Sequence, residues 1–550
     1  MNYKPVERPD RTVIVKNNGK EYVYLTQNVK YSPELKRSVP NRISIGKLND
    51  QGMLIPNKNY FELFGESVEL EIVGDRADYI SIGPHLVVSK IAERLSLYGL
   101  LESIFFDKTN KILDIATYMI MSENNVMHYF EDYGFTHSLF NGGNFTDSTI
   151  GKILGSLTVS QIDLFIKSWV TMHNSDSIYI AYDSSNMNTV AGSLTLAEYG
   201  HAKDNPDLPQ INLSVGYNQT DEVPLFYELY PGSIIDNTEC QKMVDRAKGY
   251  GCKDIGFILD RGYFSIDNIK YFERNDYDYV LMTKGNAVFI REAIEECIAL
   301  LKDGYHYYLS EYELYGKTIV KNLFNTDNKQ YIHVYYNGIS AEKEKLVINQ
   351  RFEKMDQQLE EKKNKIIKRQ EDVASYKKYY KLTFDDNGYF LNYERKEKEI
   401  KKLIDRAGFF TIITSTEMTA KKALEIYRDR DAVEKVFRME KAYLGNDVFR
   451  VHSDEHLESK VFVSFIALII RNEIYKSLKP LYLKNRKEYT VPKVLREYER
   501  LGLIKLSDHK YHVRYKLTNK QKKVLKQLDI NEKEYLEFAN EVTPLLSADK

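Results

Sequence analysis

Between residues 175 and 289 short apolar runs alternate with helical patterns, and two of those runs end on an aspartate. "DSIYIAYD" closes at Asp183 and "DIGFILD" at Asp260. Both are dense in β-branched and aromatic residues, the composition of a strand buried inside a sheet. Between them stand "INLSVGYN" (211–218) and "VPLFYELYPGS" (223–233), joined by the short connector "QTDE", which suits an antiparallel hairpin. "NTECQKMVDRAKGYG" reads as a helix stopped by glycine, "SIDNIKYFERND" as a second helix, and "YDYVLMTK" as a fifth strand. The order β-β-β-α-β-α-β predicts an α/β fold with a mixed sheet flanked by helices. The rhythm then breaks until "GFFTIITS" (408–415) supplies another strand, so 290–407 reads as an insertion. Within it, "HYYLSEYELYGKTIVKNLF" and "QYIHVYYNG" look like added strands and 344–380 like a long charged helix, the charge run 350–380 suiting a solvated helix pair better than a coiled-coil arm.

The chain has 550 residues, more than one core accommodates. Residues 11–48 alternate as short strands, 76–170 carry helical periodicity, and the C-terminal stretch holds amphipathic helices. The boundaries expected are a β-rich basic region at 1–75, a helical region at 76–174, the mixed-sheet core at 175–289 and 408–470, an inserted β/helical subdomain at 290–407, and a basic helical region at 471–550. Net charge is −1, but its distribution is uneven. Residues 1–60 hold eleven Lys/Arg against five Asp/Glu (+6), and residues 471–550 hold nineteen against eleven (+8), leaving −15 for the middle. Basic ends around an acidic centre are compatible with phosphate binding and equally with solvated faces. The three cysteines, Cys240, Cys252 and Cys297, form no CxxC pair, which disfavours a disulfide framework or a cysteine zinc site. No secretory leader pattern opens the chain, and the longest apolar run, 461–470, is about half of a bilayer span. The expectation is a cytoplasmic protein with no membrane partner.

A carboxylate at a strand end is usually a turn former. Two of them at the ends of buried strands raise a chemical alternative, strengthened by "EIYRDRDAVEKVFRMEK" (425–441). On one straight helix Ile426, Val433 and Phe437 would form a buried edge. Beside it, Tyr427, Arg430, Glu434 and Lys441 would stack within an arc of about 60°. Asp183, Asp260 and Glu434 together suit Mg²⁺ or Mn²⁺, since converging oxygen ligands repel one another without a cation. Two such ions about 3.5–4 Å apart would serve phosphoryl transfer, with Arg430 and Lys441 on phosphates and Tyr427 on a phosphate or base. The plainer alternative is a surface ladder in which Arg430 and Glu434 pair at i,i+4. Asp431, about 60° from Glu434 on the helical wheel, is a rival carboxylate, while Asp429 projects nearly opposite.

The pattern Y-x-x-R-x-x-x-E-x-x-x-x-x-x-K at Tyr427, Arg430, Glu434 and Lys441 resembles the signature helix of DDE transposases of bacterial insertion sequences. "IAYDSS" and "FILDRGYFS" are similar to the segments of their two catalytic aspartates, and "YGHAKDNPDLPQINLSVGYN" is similar to one branch of the group. That branch commonly has Arg before the Pro, where Asn205 stands here. The resemblance covers most of the chain. It implies a ribonuclease H-like catalytic core with an insertion before the Glu helix. Asp183, Asp260 and Glu434 would be the metal-binding triad for two Mg²⁺ or Mn²⁺ ions, and Tyr427, Arg430 and Lys441 would contact DNA near the cleaved end. It further implies binding of terminal inverted repeats as a homodimer, with the N-terminal 170 residues recognising the ends. Strand cleavage and transfer to target DNA would follow. Alternatives are a metal-dependent nuclease of the same fold, or a non-catalytic DNA-binding regulator derived from a transposase.

Two further features carry bland expectations. Trp169 lies on an apolar helical face and belongs in the core. His452 and His456 are spaced to share a metal, but Ser453 or Asp454 reads more naturally as a helix N-cap.

Overall fold

The computed structural model describes residues 5–547 except 18, 65–78, 174–177, 201–206, 235, 253–254, 286, 324–327, 364, 366–374, 446–447 and 507–509. For residues 178, 236–238, 433, 434 and 547 only the backbone is described. Two compact units divide the chain at residues 77 and 78.

In the first unit, β1 (Thr12–Asn17), β2 (Lys20–Ser32), β3 (Arg37–Leu48) and β4 (Leu54–Pro56) form an antiparallel sheet in chain order. Val23, Ile45, Leu54 and Tyr60, the last from the helix Lys58–Phe64, make its core. That core holds only the near half of the β2–β3 pair. From Gln27 to Arg42 every residue except Ser32 and Pro40 is exposed.

The second unit opens with β5 (Tyr79–Ser81) and a run of helices between Gly83 and Met172. A ten-stranded mixed sheet then contains β6 (Ile178–Thr189), β7 (Gln210–Asn218), β8 (Val223–Pro231), β9 (Ile255–Leu259) and β10 (Asp278–Met282). Its remaining strands are β11 (Tyr308–Leu309), β12 (Leu314–Lys321), β13 (Gln330–Tyr336), β16 (Phe409–Thr414) and β17 (Val448–Phe449), with the hairpin β14 (Tyr380–Phe384) and β15 (Phe390–Arg395) lying apart. The order across the sheet is β11-β12-β13-β16-β10-β9-β6-β7-β8, with β17 on β6. Among the described residues of this sheet, β10–β9, β9–β6 and β17–β6 are the parallel pairs. Finally β18 (Gly502–Lys505) pairs with β19 (Tyr511–Val513) and reaches back to β5. This mixed α/β architecture with one large mixed sheet agrees with the fold class expected from the strand order.

The stretch 290–407 has two characters. Its first strands, β11 to β13, continue the main sheet because β13 pairs along its length with β16. Its later part has its own core, in which Phe352, Met355 and Leu359 of the helix Gly338–Lys362 pack on Tyr380 and Phe390 of the hairpin. That helix stops at Lys362, short of the span expected to reach 380, and much of the remainder lies outside the described residues.

The apolar run 461–470 is buried within the helix Asp454–Lys484, which packs on β8 and on the helix Thr109–Ser122. Among the described residues no single helix is long and apolar enough to cross a membrane. Trp169 is fully buried, as expected, and its indole donates to the Pro224 carbonyl (2.9 Å). Ser453 caps the long helix by accepting from the His456 N–H, and the His456 Nε2 lies 3.1 Å from the Gly151 carbonyl. The capping expectation holds.

Candidate active site

The register of two parallel strands builds the site. Tyr182 on β6 is paired with Leu259 on β9, so the next residue of each strand, Asp183 and Asp260, stand side by side. Neighbouring strands lie about 4.8 Å apart, which places the two carboxylates in one neighbourhood. Asp260 follows β9 directly and caps the turn Arg261–Tyr263, accepting from the Arg261 N–H (2.6 Å). Asp183 does not end its strand, contrary to the sequence expectation. β6 runs on through Asn188 against β7, because β7 keeps supplying an antiparallel ladder after β9 has ended. The polar segment "SSNMN" hides that continuation from any reading based on apolar runs.

The segment expected as one straight helix from 425 to 441 is three pieces. An α-helix spans Ala420–Asp429 and a second spans Asp431–Arg438, with Arg430 at the junction donating its N–H to the Tyr427 carbonyl (3.1 Å). A π-turn, Met439–Tyr443, follows. Such turns are rare and gather at functional sites. Gly445, at φ +70°, ends it in the left-handed region that glycine adopts without strain, and its carbonyl accepts from the Asn125 side chain (2.7 Å). The tight step at Arg430 and the wide π-turn depart from the uniform 100° per residue of a straight helix.

Even so, the first two signature residues reach the carboxylates. Arg430 is 6% exposed, and its Nη1 lies 3.1 Å from the Asp183 Oδ2. The Tyr427 hydroxyl donates to the Asp260 Oδ1 (3.1 Å), with the Met282 sulfur at the same distance. Arg430 also lies over the Tyr427 ring, 5.5 Å from its centroid. Burial first, and then the charge of Asp260, push the Tyr427 phenol well above its ordinary pKa. It is therefore a neutral donor, not a base. Each aspartate also accepts from the backbone N–H that follows it, Ser184 (2.9 Å) or Arg261. Two adjacent anions are thus held by one guanidinium, one phenol and two amides.

The other expected residues are placed less fully. Glu434 lies in the helix Asp431–Arg438, one turn past Arg430, and this helix packs on β6 and β7, but its side chain is outside the described residues. So is that of Val433, whereas its companions Ile426 and Phe437 are buried as expected. Lys441 sits half-buried on the π-turn. Asp429 and Asp431, the rival carboxylates, are both exposed. Asn205 is outside the described residues. Among the described residues no cluster of three metal-ligating side chains occurs; Asp183 and Asp260 are two hard oxygen donors that fit an oxygen-preferring divalent ion.

Sequence reading missed two further features. A cavity of about 200 Å³ beside the signature helix is lined by Lys435, Arg438, Arg471, Tyr443, Tyr475 and Tyr482, among others, with no carboxylate among the described lining residues. Arg438 falls one turn past Glu434, a spacing that could have flagged it. Lys460, on the long helix, is 3% exposed, and burial together with nearby Arg450 pushes its pKa down to about 8. A lone cation at the head of the run "VFVSFIALII" was the available signal.

Adjacent carboxylates from neighbouring strands of a mixed sheet, held by an Arg and a Tyr from one helical segment, make a compact acidic site. The chain belongs to the DDE transposase family: the model of the transposase DDE domain matches residues 175–470, more than half of its length. Comparison with curated proteins returns no match. The matched span runs from the start of β6 to the middle of the long buried helix and contains Asp183, Asp260 and the whole signature helix.

Proposed function

We propose that the protein is the transposase of a bacterial insertion sequence, of the branch marked by the Y-R-E-K helix, acting in the cytoplasm on the DNA of its own element. It binds the terminal inverted repeats as a homodimer, cleaves a strand at each end, and joins the freed 3′ end to target DNA. The observation that carries this reading is the β6–β9 register that sets Asp183 beside Asp260, with Arg430 and Tyr427 on them.

In this reading Asp183, Asp260 and Glu434 hold two Mg²⁺ or Mn²⁺ ions. When bound, such ions activate the attacking oxygen and neutralise the leaving one. The chain's own residues do the rest. The paired strands fix both aspartates on rigid backbone, so the donors are placed before DNA arrives. Arg430, with its planar fork, shifts from Asp183 to a phosphate near the cleaved end, and Lys441 holds a second phosphate. Tyr427 remains a hydrogen-bond donor throughout, since its proton is not lost near neutral pH. The core at 175–289 and 408–470 takes the ribonuclease H-like role, with 290–407 as its insertion. The regions 1–75, 76–174 and 471–550 serve DNA-end recognition and backbone contact.

The test is cleavage of duplexes carrying the DNA that flanks the open reading frame. Asp183→Asn, Asp260→Asn and Glu434→Gln should each abolish metal-dependent cleavage and leave duplex binding largely intact. Cleavage surviving all three changes refutes the chemistry. Imperfect inverted repeats bounding the reading frame, with short direct duplications outside them, are the expected companion observation.

A further inference from the structure

The far half of the β2–β3 ribbon is a structure with nothing of its own to hold. Five cross-strand pairs extend beyond the small core, from Asn28↔Asn41 to Ser32↔Arg37, a reach of about 17 Å at the usual rise per residue. A turn at Pro33–Lys36 closes it, with Lys36 at φ +46° and the Leu35 N–H donating to the Ser32 hydroxyl (3.3 Å). Side chains alternate along each strand, so the register divides the ribbon into two faces. One carries Asn28, Lys30 and Ser32 with their partners Asn41, Val39 and Arg37; the other carries Val29 and Tyr31 with Pro40 and Ser38. Both faces are open to solvent, Tyr31 at 65% and Val29 at 59%. A register shift between Thr26 and Asn28, at Gln27, marks where the ribbon leaves the sheet, and such a bulge sharpens twist.

Charge separates the candidate occupants. Lys30, Lys36, Arg37 and Arg42 stand against Glu34 alone, giving +3 over residues 27–42. Among the described residues none of the four cations makes an ion pair, whereas Lys16 and Lys58 in the same unit do. An arm that docks on another protein would be expected to balance its charges. A two-stranded ribbon fits the major groove, which is about 12 Å wide, and Asn and Arg or Lys are the side chains that read adenine and guanine edges there.

We propose that this ribbon enters the major groove of duplex DNA, with Asn28, Asn41, Lys30 and Arg37 facing the base edges and with Lys36 and Arg42 on the flanking phosphates. It rests on the reading that the chain recognises the ends of its element, and it assigns that recognition to one β-arm.

The experiment uses the full-length protein, a 30-bp duplex from the flanking DNA and a scrambled duplex of equal composition, with binding followed by anisotropy over a salt series. N28A/N41A should cut the preference for the flanking duplex by about tenfold or more, leaving scrambled binding unchanged. K36A/R42A should weaken both duplexes alike and reduce the salt slope by about 1.8. These positions are exposed, so the thermal transition should not move. If wild type prefers the flanking duplex and both variants behave as wild type, the arm is overturned and the proposed function stands. Wild type that binds neither duplex and cleaves nothing overturns both. If V29S/Y31S dissociates an assembled protein in light scattering while DNA binding is intact, the ribbon belongs to a second copy and the proposal falls.

Discussion

The contact between Arg430 and Asp183 is the sharpest quantitative statement about the site, and a double-mutant cycle measures it. Arg430→Met keeps the volume of the side chain and removes its charge; Asp183→Asn keeps the shape of the carboxylate. The N–O distance is 3.1 Å, and the side chains are 8% and 22% exposed. At an effective dielectric near 20, unit charges this close attract by about 5 kcal/mol. Desolvation of the guanidinium and the water still reaching Asp183 offset roughly half of that, leaving a coupling of about 2–3 kcal/mol. Global unfolding of a 550-residue chain in two units is not one transition, so opening is best read locally, by hydrogen exchange of the β6 amides. In EDTA the cycle should return that coupling, and in Mg²⁺ a smaller one, since Asp183 then has a second cation to answer to. A coupling below about 0.5 kcal/mol in EDTA means the pair does not hold the site, and the geometric reasoning fails.

Two other perturbations test neighbouring claims. Tyr427→Phe removes the hydroxyl on Asp260 but keeps the ring beneath Arg430, so metal-dependent cleavage should fall about tenfold to a hundredfold with duplex binding unchanged; an unaltered rate takes the phenol out of the site. Lys460 titrates near 8 in the folded chain against an ordinary 10.5, so the folded state binds fewer protons between those values and stability should rise with pH across that window. Below it the buried charge costs about 3 kcal/mol, and Lys460→Met should raise the midpoint of the transition that unfolds the unit 78–550 at neutral pH and flatten its rise toward pH 10.5. Equal slopes in the two proteins refute the assignment.

Strands with a continuous apolar signal were readable one by one: β7, β8, β9, β10 and β16 occupy the segments where β-branched and aromatic residues concentrate. So were Ser453 as a cap and the burial of Trp169, Ile426 and Phe437, because each depends on local spacing or on a simple preference for the interior. Where β6 ends was not, since its last residues are polar and only the ladder offered by β7 keeps them extended. Nor was the break at Arg430 or the π-turn after it, since helix formers fill the whole segment and nothing in their propensities marks a change of pitch.

Local chemistry along the chain was enough to name the candidate groups: two aspartates after apolar runs, and an Arg and a Tyr three residues apart on a helix. It could not say that they meet. Asp183 and Asp260 are 77 positions apart in the chain, and Arg430 lies 247 from the carboxylate it grips. Their neighbourhood comes from a parallel register between β6 and β9, and from a helix that crosses back over strands laid down long before it. Strand register is settled by which faces can be buried together across the whole sheet. That is a property of all the strands at once, and no single segment carries it.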